Sequence, residues 1–344
     1  MLIRKRIASA VGVIGLLCAS ALASAPAQAA TPRTALVTGN YKPDASTTGV
    51  PAGKALAKVG SYNKPYVINV DGTVLDGKEI LGDVKIQAKN VVIKNSRLRC
   101  GNYKPTTNTG CVDANSPKVF NLRVEDSTIN PILPHAFRDG IVGHEYKALR
   151  NHVFGTNDGM GVFNKPGGSV NTNVTIEGNY IHTTVYWDAV KDPGPAPDGT
   201  HNDGIQVQGG SNIRIAGNTI VNNGVLGAGS KADPTKPRLL PHGHGCSVIL
   251  QNNTGAALKN TVVEKNWLDN GLASACIKPG EITFQKNRFG NKQYNFFAAP
   301  KVSKYVIRID NKAKTIVHGL GTNVWEANGQ PLKVGKGLGI HYNS

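Results

Sequence analysis

The chain has 344 residues, of which 40% are hydrophobic, 6% aromatic and 18% charged, and its formal net charge is +17. That apolar fraction excludes an intrinsically disordered chain, and the glycines do not recur at every third position as a collagen-like chain requires. The 40 glycines make up about 12% of the chain, against roughly 7% in an average protein. With few aromatic residues, this composition favours many tight turns and few long helices.

The first 29 residues have the pattern of a secretory signal peptide. A basic head (residues 4–6) precedes an apolar stretch (7–22) and a small-x-small cleavage site (27–29). We therefore expect a secreted, extracellular protein without a membrane anchor. Cleavage removes three basic residues and no acidic ones, so the formal charge falls from +17 to +14.

A charge of this size favours polyanionic partners through long-range attraction. No nucleic-acid-binding motif is present, and export makes an acidic polysaccharide the expected partner in place of nucleic acid or a membrane. Simple solubility is the alternative reason for the charge. We expect the mature protein to be a monomer.

Four cysteines follow residue 29, namely Cys100, Cys111, Cys246 and Cys276. An even number in an exported chain predicts two disulfides, for which the sequence allows three pairings. Cys100 with Cys111 would close a short loop, and Cys246 with Cys276 would tie neighbouring repeats. The spacings do not resemble a zinc site.

A short pattern of alternating apolar residues, a polar pair, Asn or Asp, and a further apolar residue recurs along the chain. The marker residues are Asn95, Asp126, Asn151, Asn179, Asn218, Asn266 and Asn287. Alternation with period two indicates a strand, and the polar marker indicates a bend in it. One copy is too short to bury its own apolar face, but copies stacked in parallel bury a continuous core and let the Asn side chains bond along the stack. A short strand after a glycine precedes most copies.

These repeats and the segment 201–206 (His-Asn-Asp-Gly-Ile-Gln) resemble those of pectate-lyase-like proteins, and residues 43–53 resemble the leader of exported actinobacterial members. The resemblance implies an all-β, single-stranded right-handed parallel β-helix, a solenoid, over residues 65–300. Residues 30–64 would form an N-terminal extension and cap, and residues 301–344 a last rung and C-terminal cap. Lyases, hydrolases, epimerases and non-catalytic binders share this scaffold, so it does not define the activity.

Two long insertions, residues 183–200 and 221–241, each leave a bent strand and lead into the next first strand. On a stacked scaffold both project from the same edge, where they would form the wall of a groove. Surface insertion without a function is the alternative. The candidate substrate-binding residues in and beside these segments are Tyr186, Trp187, Gln206, Lys236 and Arg238.

The starts of the first strands place acidic and histidine residues on one edge. Asp139, Asp158 and Asp203 occupy corresponding positions on rungs about 4.8 Å apart, and His242 or His244 falls on the following rung. Like charges at that distance repel, so the ladder needs protons, bases or a cation, and Ca²⁺ is the ion that prefers several oxygen ligands. No organic cofactor is expected. Alternatively, these Asp-Gly pairs only form turns.

A lyase acting on uronic acids must neutralise the substrate carboxylate, remove the C5 proton and assist departure of the 4-linked oxygen. The candidate base is Lys278 or His201, Arg138, His242 or His244 would neutralise the carboxylate or donate the proton, and Asp203 is a further candidate catalytic residue. His201 and Lys278 are expected to face solvent. Lys278 is also expected near the strand position of Gln206, two rungs away.

The expected function is therefore a secreted polysaccharide lyase that cleaves an acidic, uronic-acid-containing polysaccharide by β-elimination. A glycoside hydrolase is one alternative, because carboxyl groups on adjacent rungs lie near the ~5 Å of retaining enzymes and those on alternate rungs near the ~9 Å of inverting enzymes. Epimerisation at C5 shares the first step of the lyase reaction. A non-catalytic carbohydrate-binding or surface protein on the same scaffold is a further alternative.

Overall fold

Every strand pairing in the described chain is parallel, and the strands form three long sheets. The structure is a computed structural model that describes residues 41–163, 171–187, 200–226, 245–293, 305–335 and 337–343. Helical structure in these ranges is confined to two 3₁₀ turns, Lys312–Lys314 and Leu320–Thr322. Within the same ranges no helix is long and apolar enough to cross a membrane. The predicted signal peptide lies outside them.

Sheet A contains, in spatial order, β1 (Ala57–Gly60), β4 (Lys78–Leu81), β7 (Arg97–Cys100), β10 (Thr128–Ile129), β13 (His152–Phe154), β16 (Tyr180–Tyr186), β19 (Thr219–Leu226), β22 (Trp267–Asn270), β25 (Arg288–Phe289) and β28 (Val324–Trp325). Sheet B contains β2 (Tyr66–Ile68), β5 (Val84–Ile86), β8 (Thr109–Ala114), β11 (Arg138–Gly143), β14 (Met160–Val162), β17 (Ile205–Val207), β20 (Val248–Leu250), β23 (Ala275–Ile277), β26 (Tyr305–Asp310), β30 (Gly339–Asn343) and β29 (Lys333–Val334). Sheet C contains β3 (Val74–Asp76), β6 (Val92–Lys94), β9 (Leu122–Glu125), β12 (Tyr146–Leu149), β15 (Asn171–Glu177), β18 (Ser211–Ala216), β21 (Lys259–Glu264), β24 (Gly280–Gln285) and β27 (Thr315–His318).

The chain passes through sheets B, C and A in turn and then begins the next coil, so neighbours within a sheet come from successive coils. This arrangement is a parallel β-helix, which confirms the predicted solenoid. The predicted bent strand is one strand of sheet C and one of sheet A, joined at the polar marker. Parallel pairing continues past residue 300, because β26 and β30 extend sheet B.

The core lies inside the coil and is built from inward-facing apolar columns. Five successive coils of sheet B contribute Val112, Ile141, Met160, Ile205 and Val248, which are in register and fully buried. Each coil contributes a few such residues, so burial depends on the coils above and below.

A buried asparagine ladder occupies the bend between sheets C and A. Its members are Asn151, Asn179, Asn218, Asn266, Asn287 and Asn323. The backbone N–H and side-chain Nδ2 of Asn179, for example, both donate to Oδ1 of Asn218, at 2.9 and 2.8 Å. This confirms the predicted bonding of Asn side chains along the stack.

In the first two copies the ladder residue is one position later than predicted. Ser96 and Ser127 are fully buried at the ladder position, whereas Asn95 and Asp126 precede it with φ values of 50° and 49°. The reason is that Asn and Asp are also favoured in this left-handed conformation, so residue type alone does not distinguish the two positions.

Two disulfides are present, Cys100–Cys111 and Cys246–Cys276. The first closes the connection between β7 and β8. The second joins the residue two positions before β20 to the middle of β23, so it ties neighbouring coils. Of the three pairings that the sequence allows, the structure has the one that combines these two bridges.

The described part of the leader, from residue 41, packs on the outer side of sheet A. The Gly49 N–H donates to the Arg150 carbonyl oxygen at 2.8 Å, and the Val50 N–H donates to Thr128 Oγ1 at 3.1 Å. Gly49 has φ 77°, and a Cβ atom there would lie 2.6 Å from Thr128 Oγ1. Glycine is therefore required for this close approach.

Candidate functional site on the outer face of sheet B

The two predicted insertions connect sheet A to sheet B at the same corner of the coil. One follows β16 and leads to β17, and the other follows β19 and leads to β20. Their middle parts, residues 188–199 and 227–244, lie outside the described residues. The predictions for Lys236, Arg238, His242 and His244 fall there and stay predictions.

The outer face of sheet B presents two columns of side chains beside this corner. Column one contains Asp113, Val142, Gly161, Gln206, Ile249, Cys276 and Arg308, which are in register on successive coils. Column two follows two residues later and contains Phe163, Gln208, Gln251, Lys278 and Asp310. The face is therefore rich in amides, and its cations are Lys85, in register with Asp113 on an N-terminal coil, and Lys278 and Arg308 on the C-terminal coils.

A cleft of about 310 Å³ lies over the N-terminal half of this face. Its lining residues are Asn108, Asn115, Asp139, Val142, Phe163 and Thr254. At neighbouring Gly161, a Cβ atom would lie 2.8 Å from the Phe163 ring and 3.2 Å from Val142. The volume is at the lower end of the roughly 300–1,000 Å³ typical of small-ligand sites.

The three predicted aspartates form a ladder in register at the entry to sheet B. The Asp158 N–H donates to Asp139 Oδ1 at 2.9 Å, and the Asp203 N–H donates to Asp158 Oδ1 at 2.9 Å. On the next coil the Cys246 N–H donates to Asp203 Oδ1 at 2.6 Å. The residue after Asp203 in this ladder is thus Cys246, where the sequence suggested His242 or His244. All three carboxyl groups are buried.

Burial raises the pKa of Asp139 to about 6 and that of Asp203 to about 7, although hydrogen bonds oppose the shift. Asp158 lies between them, and burial together with the two neighbouring carboxylates raises its pKa well above the ordinary value. The ladder is therefore partly protonated near neutral pH, and these protons relieve the repulsion between its members.

Calcium at this ladder stays a prediction. Among the described residues, one group of three potential ligands converges within 4.8 Å, namely Asp83, Cys100 and Cys111. Its two cysteines are joined in a disulfide, and a disulfide sulfur is not the thiolate that binds metals. This group is therefore not a metal site.

Lys278 lies on the outer face in an ion-pair cluster that the sequence analysis did not predict. Its Nζ is 2.7 Å from Asp310 Oδ2, and Arg308 Nε is 2.9 Å from Asp310 Oδ1. Asn343 Nδ2 also donates to Asp310 Oδ1 at 2.8 Å. Burial opposes ionisation of Asp310, but the hydrogen bonds from Lys278 and the charge of Arg308 hold its pKa below the usual range. The alternation of residues 305–309 was the available signal, since it puts Arg308 on the outer face.

Lys278 and His201 are not brought together. Gln206 is in register with Ile249 and then with Cys276, so Lys278 belongs to the column of Gln208 and not to that of Gln206. His201 is exposed and precedes Asp203 at the entry to the strand. Five residues of strand, about 16 Å, separate Asp203 from the position of Gln208, and Lys278 is two coils further along the axis. Only one of the two predicted bases can therefore serve a given sugar ring.

Arg138 is completely buried beneath this corner. Its guanidinium forms a two-pronged ion pair with Asp83, with Nε to Oδ1 at 3.0 Å and Nη2 to Oδ2 at 3.2 Å. It also donates to the carbonyl oxygens of Leu133 and Tyr103, at 2.5 and 2.7 Å. These partners place Arg138 in the interior of the wall, away from the groove surface where a substrate carboxylate would bind.

The remaining predicted residues lie near the Asp203 end of the face. Gln206 is half-buried, and its Nε2 donates to Asp203 Oδ2 at 3.3 Å. Tyr186 is buried at the end of β16. Trp187 is half-buried, with its ring centroid 6.4 Å from that of His135, and its backbone N–H donates to Thr200 Oγ1 at 3.0 Å. The structure thus groups these residues with the aspartate ladder and separates them from Lys278.

No protein-family model, curated protein or solved structure matches this chain. A function has to be inferred from the geometry of the face itself.

Proposed function

We propose that the protein binds an acidic polysaccharide along the outer face of sheet B and cleaves it by β-elimination. The observation that supports this proposal is the pair of cations, Lys278 and Arg308, that flank Asp310 on this face. Both side chains are partly exposed, at 35% and 27%. The half-buried amide of Gln208 continues the same face and can bind sugar hydroxyl groups, and its Oε1 accepts a hydrogen bond from Gln251 Nε2 at 3.1 Å.

In the proposed reaction Arg308 binds the substrate carboxylate and Lys278 transfers the protons. The planar guanidinium of Arg308 suits two-pronged binding of a uronate carboxylate, which makes the C5 proton more acidic. After Lys278 has lost a proton to solvent, its amine takes the C5 proton, the C4–O bond breaks, and a double bond forms between C4 and C5. The Lys278 ammonium then returns its proton to the leaving oxygen. Because the base must be a neutral amine, the rate is expected to rise toward alkaline pH.

The direct test incubates the protein with pectate, alginate and glycosaminoglycans, with Ca²⁺ or with a chelator, and records ultraviolet absorbance of the unsaturated product. Lys278→Ala should lower the rate by about 10²–10⁴-fold because it removes the base. Lys147→Ala is the matched control, since Lys147 is an exposed lysine on the outer face of sheet C. Absence of absorbance with every polymer would reject β-elimination.

Hydrolysis is the second candidate, and the position of Asp139 favours it. Asp139 lines the cleft, and its pKa of about 6 suits a general acid. New reducing ends without ultraviolet absorbance would identify a hydrolase, and Asp139→Asn should then abolish activity. Retention of the polymer without either product would identify a binding protein.

A further inference from the structure

A histidine pair on the outer face of sheet A lies outside the proposed groove. His152 on β13 is in register with Tyr180 on β16, and Phe154 is in register with His182. His152 and His182 are therefore diagonal neighbours on adjacent strands, a separation that long side chains can span. Their Nε2 atoms are 2.7 Å apart.

The surrounding aromatic rings hold both imidazoles in place. The His182 ring stacks on the rings of Tyr180 and Phe154, with centroids 4.4 and 5.3 Å away. The His152 ring stacks on Tyr180 at 5.2 Å. Both histidines are half-buried, so their rings are confined and keep part of their contact with solvent.

Both imidazoles are neutral, as metal binding requires. Burial lowers the pKa of His152 and of His182 to about 4, so both imidazoles are neutral at neutral pH. His182 Nδ1 is 2.6 Å from Thr183 Oγ1. When Nδ1–H donates to this hydroxyl, the lone pair of His182 is on Nε2, which is how a supporting hydrogen bond orients a histidine ligand.

We propose that His152 and His182 bind a divalent transition-metal ion, Cu²⁺ or Ni²⁺, through their Nε2 atoms. Two nitrogens bonded at about 2.0 Å and a right angle to a metal are about 2.8 Å apart, whereas a tetrahedral zinc ion would need about 3.3 Å. The observed 2.7 Å is a hydrogen-bond distance, and it is nearer to the separation in the tetragonal geometry that Cu²⁺ and Ni²⁺ prefer, so these ions require the smaller displacement of the two rings. Nitrogen ligands also disfavour Ca²⁺.

Binding requires a small rearrangement of protons and no change of charge on the rings. The proton shared by the two Nε2 atoms moves to Nδ1 of the donor imidazole, and each Nε2 then gives its lone pair to the metal. Within the described residues, no third His, Cys, Asp or Glu ligand atom joins this pair. Water therefore completes the coordination.

The test titrates untagged protein with Cu²⁺ by calorimetry and records the electron paramagnetic resonance spectrum. His152→Phe and His182→Phe keep an aromatic ring in the stack but remove the ligand nitrogen. Each should weaken Cu²⁺ binding at least tenfold and reduce the nitrogen hyperfine pattern from two nitrogens to one. His318→Phe is the control, because His318 is exposed on sheet C and pairs with Glu281 at 3.0 Å; its Cu²⁺ binding should equal that of the wild type.

Thermal unfolding without metal shows whether each variant is folded. With Cu²⁺, the midpoint should rise for the wild type and for His318→Phe and stay unchanged for the other two variants. No Cu²⁺ binding by the wild type would overturn the proposal. An unchanged affinity and two-nitrogen spectrum in the double variant His152→Phe/His182→Phe would overturn it as well.

Discussion

The aspartates of the ladder join successive coils by hydrogen bonds and also carry carboxyl groups that can donate protons. Each Oδ1 of Asp139, Asp158 and Asp203 accepts a backbone N–H from the next coil, as Oδ1 of the buried asparagines does. An aspartate in this position differs from an asparagine in its charge, which burial makes unfavourable. Because burial disfavours the charged form, the pKa values of these carboxyl groups are raised, and a general acid needs a raised pKa.

These shifts predict that stability falls as the pH rises. Each folded-state pKa lies above the ordinary 3.8, at about 6 for Asp139 and about 7 for Asp203. Between about pH 4 and pH 7 the folded protein holds protons that the unfolded chain has lost, so the free energy of unfolding decreases over this window. Denaturant unfolding measured at pH 5 and at pH 8 should show the loss.

Asp158→Asn should reduce that loss, because asparagine keeps the Oδ1 acceptor and carries no charge. We expect the variant to be more stable than the wild type at pH 8 by an amount on the order of 1–3 kcal/mol, and nearly equal to it at pH 5. Asp71→Asn is the control, since Asp71 is exposed and accepts a backbone N–H from Lys89. The explanation by buried charge is wrong if both variants follow the wild-type pH profile.

At the scale of the elements, two asparagine ladders mark two corners of the coil. The buried ladder follows sheet C, and an exposed ladder lies near the start of the sheet C strands β15, β18 and β21. In the exposed ladder Asn260 Nδ2 donates to Asn212 Oδ1 at 2.7 Å, and Asn212 Nδ2 donates to Asn173 Oδ1 at 3.0 Å. Its residues have positive φ values, 59° at Asn212 for example. The buried ladder is expected to contribute more to the free energy of unfolding than the exposed ladder, because water cannot replace hydrogen bonds that are lost in the interior.

Asn218→Ala tests this difference between the ladders. The change removes the acceptor of the Asn179 N–H and the donors to Ile176 O and to Asn266 Oδ1. Buried groups left without partners should cost about 3 kcal/mol or more. Asn212→Gly in the exposed ladder keeps the positive φ and should cost less than about 1 kcal/mol. Urea unfolding compares the two, and equal losses would contradict the reasoning.

At the scale of the whole molecule, stability is spread along the axis of the coil. Each coil contacts mainly its two neighbours, so its register depends on local ties between coils. Cys246–Cys276 closes a loop of 30 residues and joins neighbouring coils at Cys276, a member of column one. Cys100–Cys111 closes a loop of 11 residues within one connection. The longer closure removes more conformational freedom from the unfolded chain.

Cys246→Ser/Cys276→Ser should therefore destabilise the protein more than Cys100→Ser/Cys111→Ser. The loop-closure relation gives a difference of about 1 kcal/mol, or about 2 °C in the melting temperature. Calorimetry of the two double variants measures it directly. A larger loss on removing Cys100–Cys111 would mean that its contacts near the buried Asp83–Arg138 pair outweigh the length of the loop.

Much of the fold could be predicted from the sequence, because its determinants are local. Alternating apolar residues predict strands, the polar marker predicts a bend, and an even number of cysteines after a predicted export signal predicts disulfides. The alignment of Asp139, Asp158 and Asp203 also followed from the pattern, since each aspartate stands directly before a glycine and a short apolar run.

Tertiary structure alone decided which distant residues meet. Successive members of the buried ladder are separated by as few as 21 residues and as many as 48, because the connections between sheets differ in length. The marker residues give these separations for the ladder itself, but they do not give the register of residues on the other faces, so the pattern did not reveal the buried Arg138–Asp83 pair or the grouping of Lys278 with Arg308. The pattern did not reveal the contact of His152 with His182 either. Each results from hydrogen bonds between coils, which set the register only after the chain has closed a full turn.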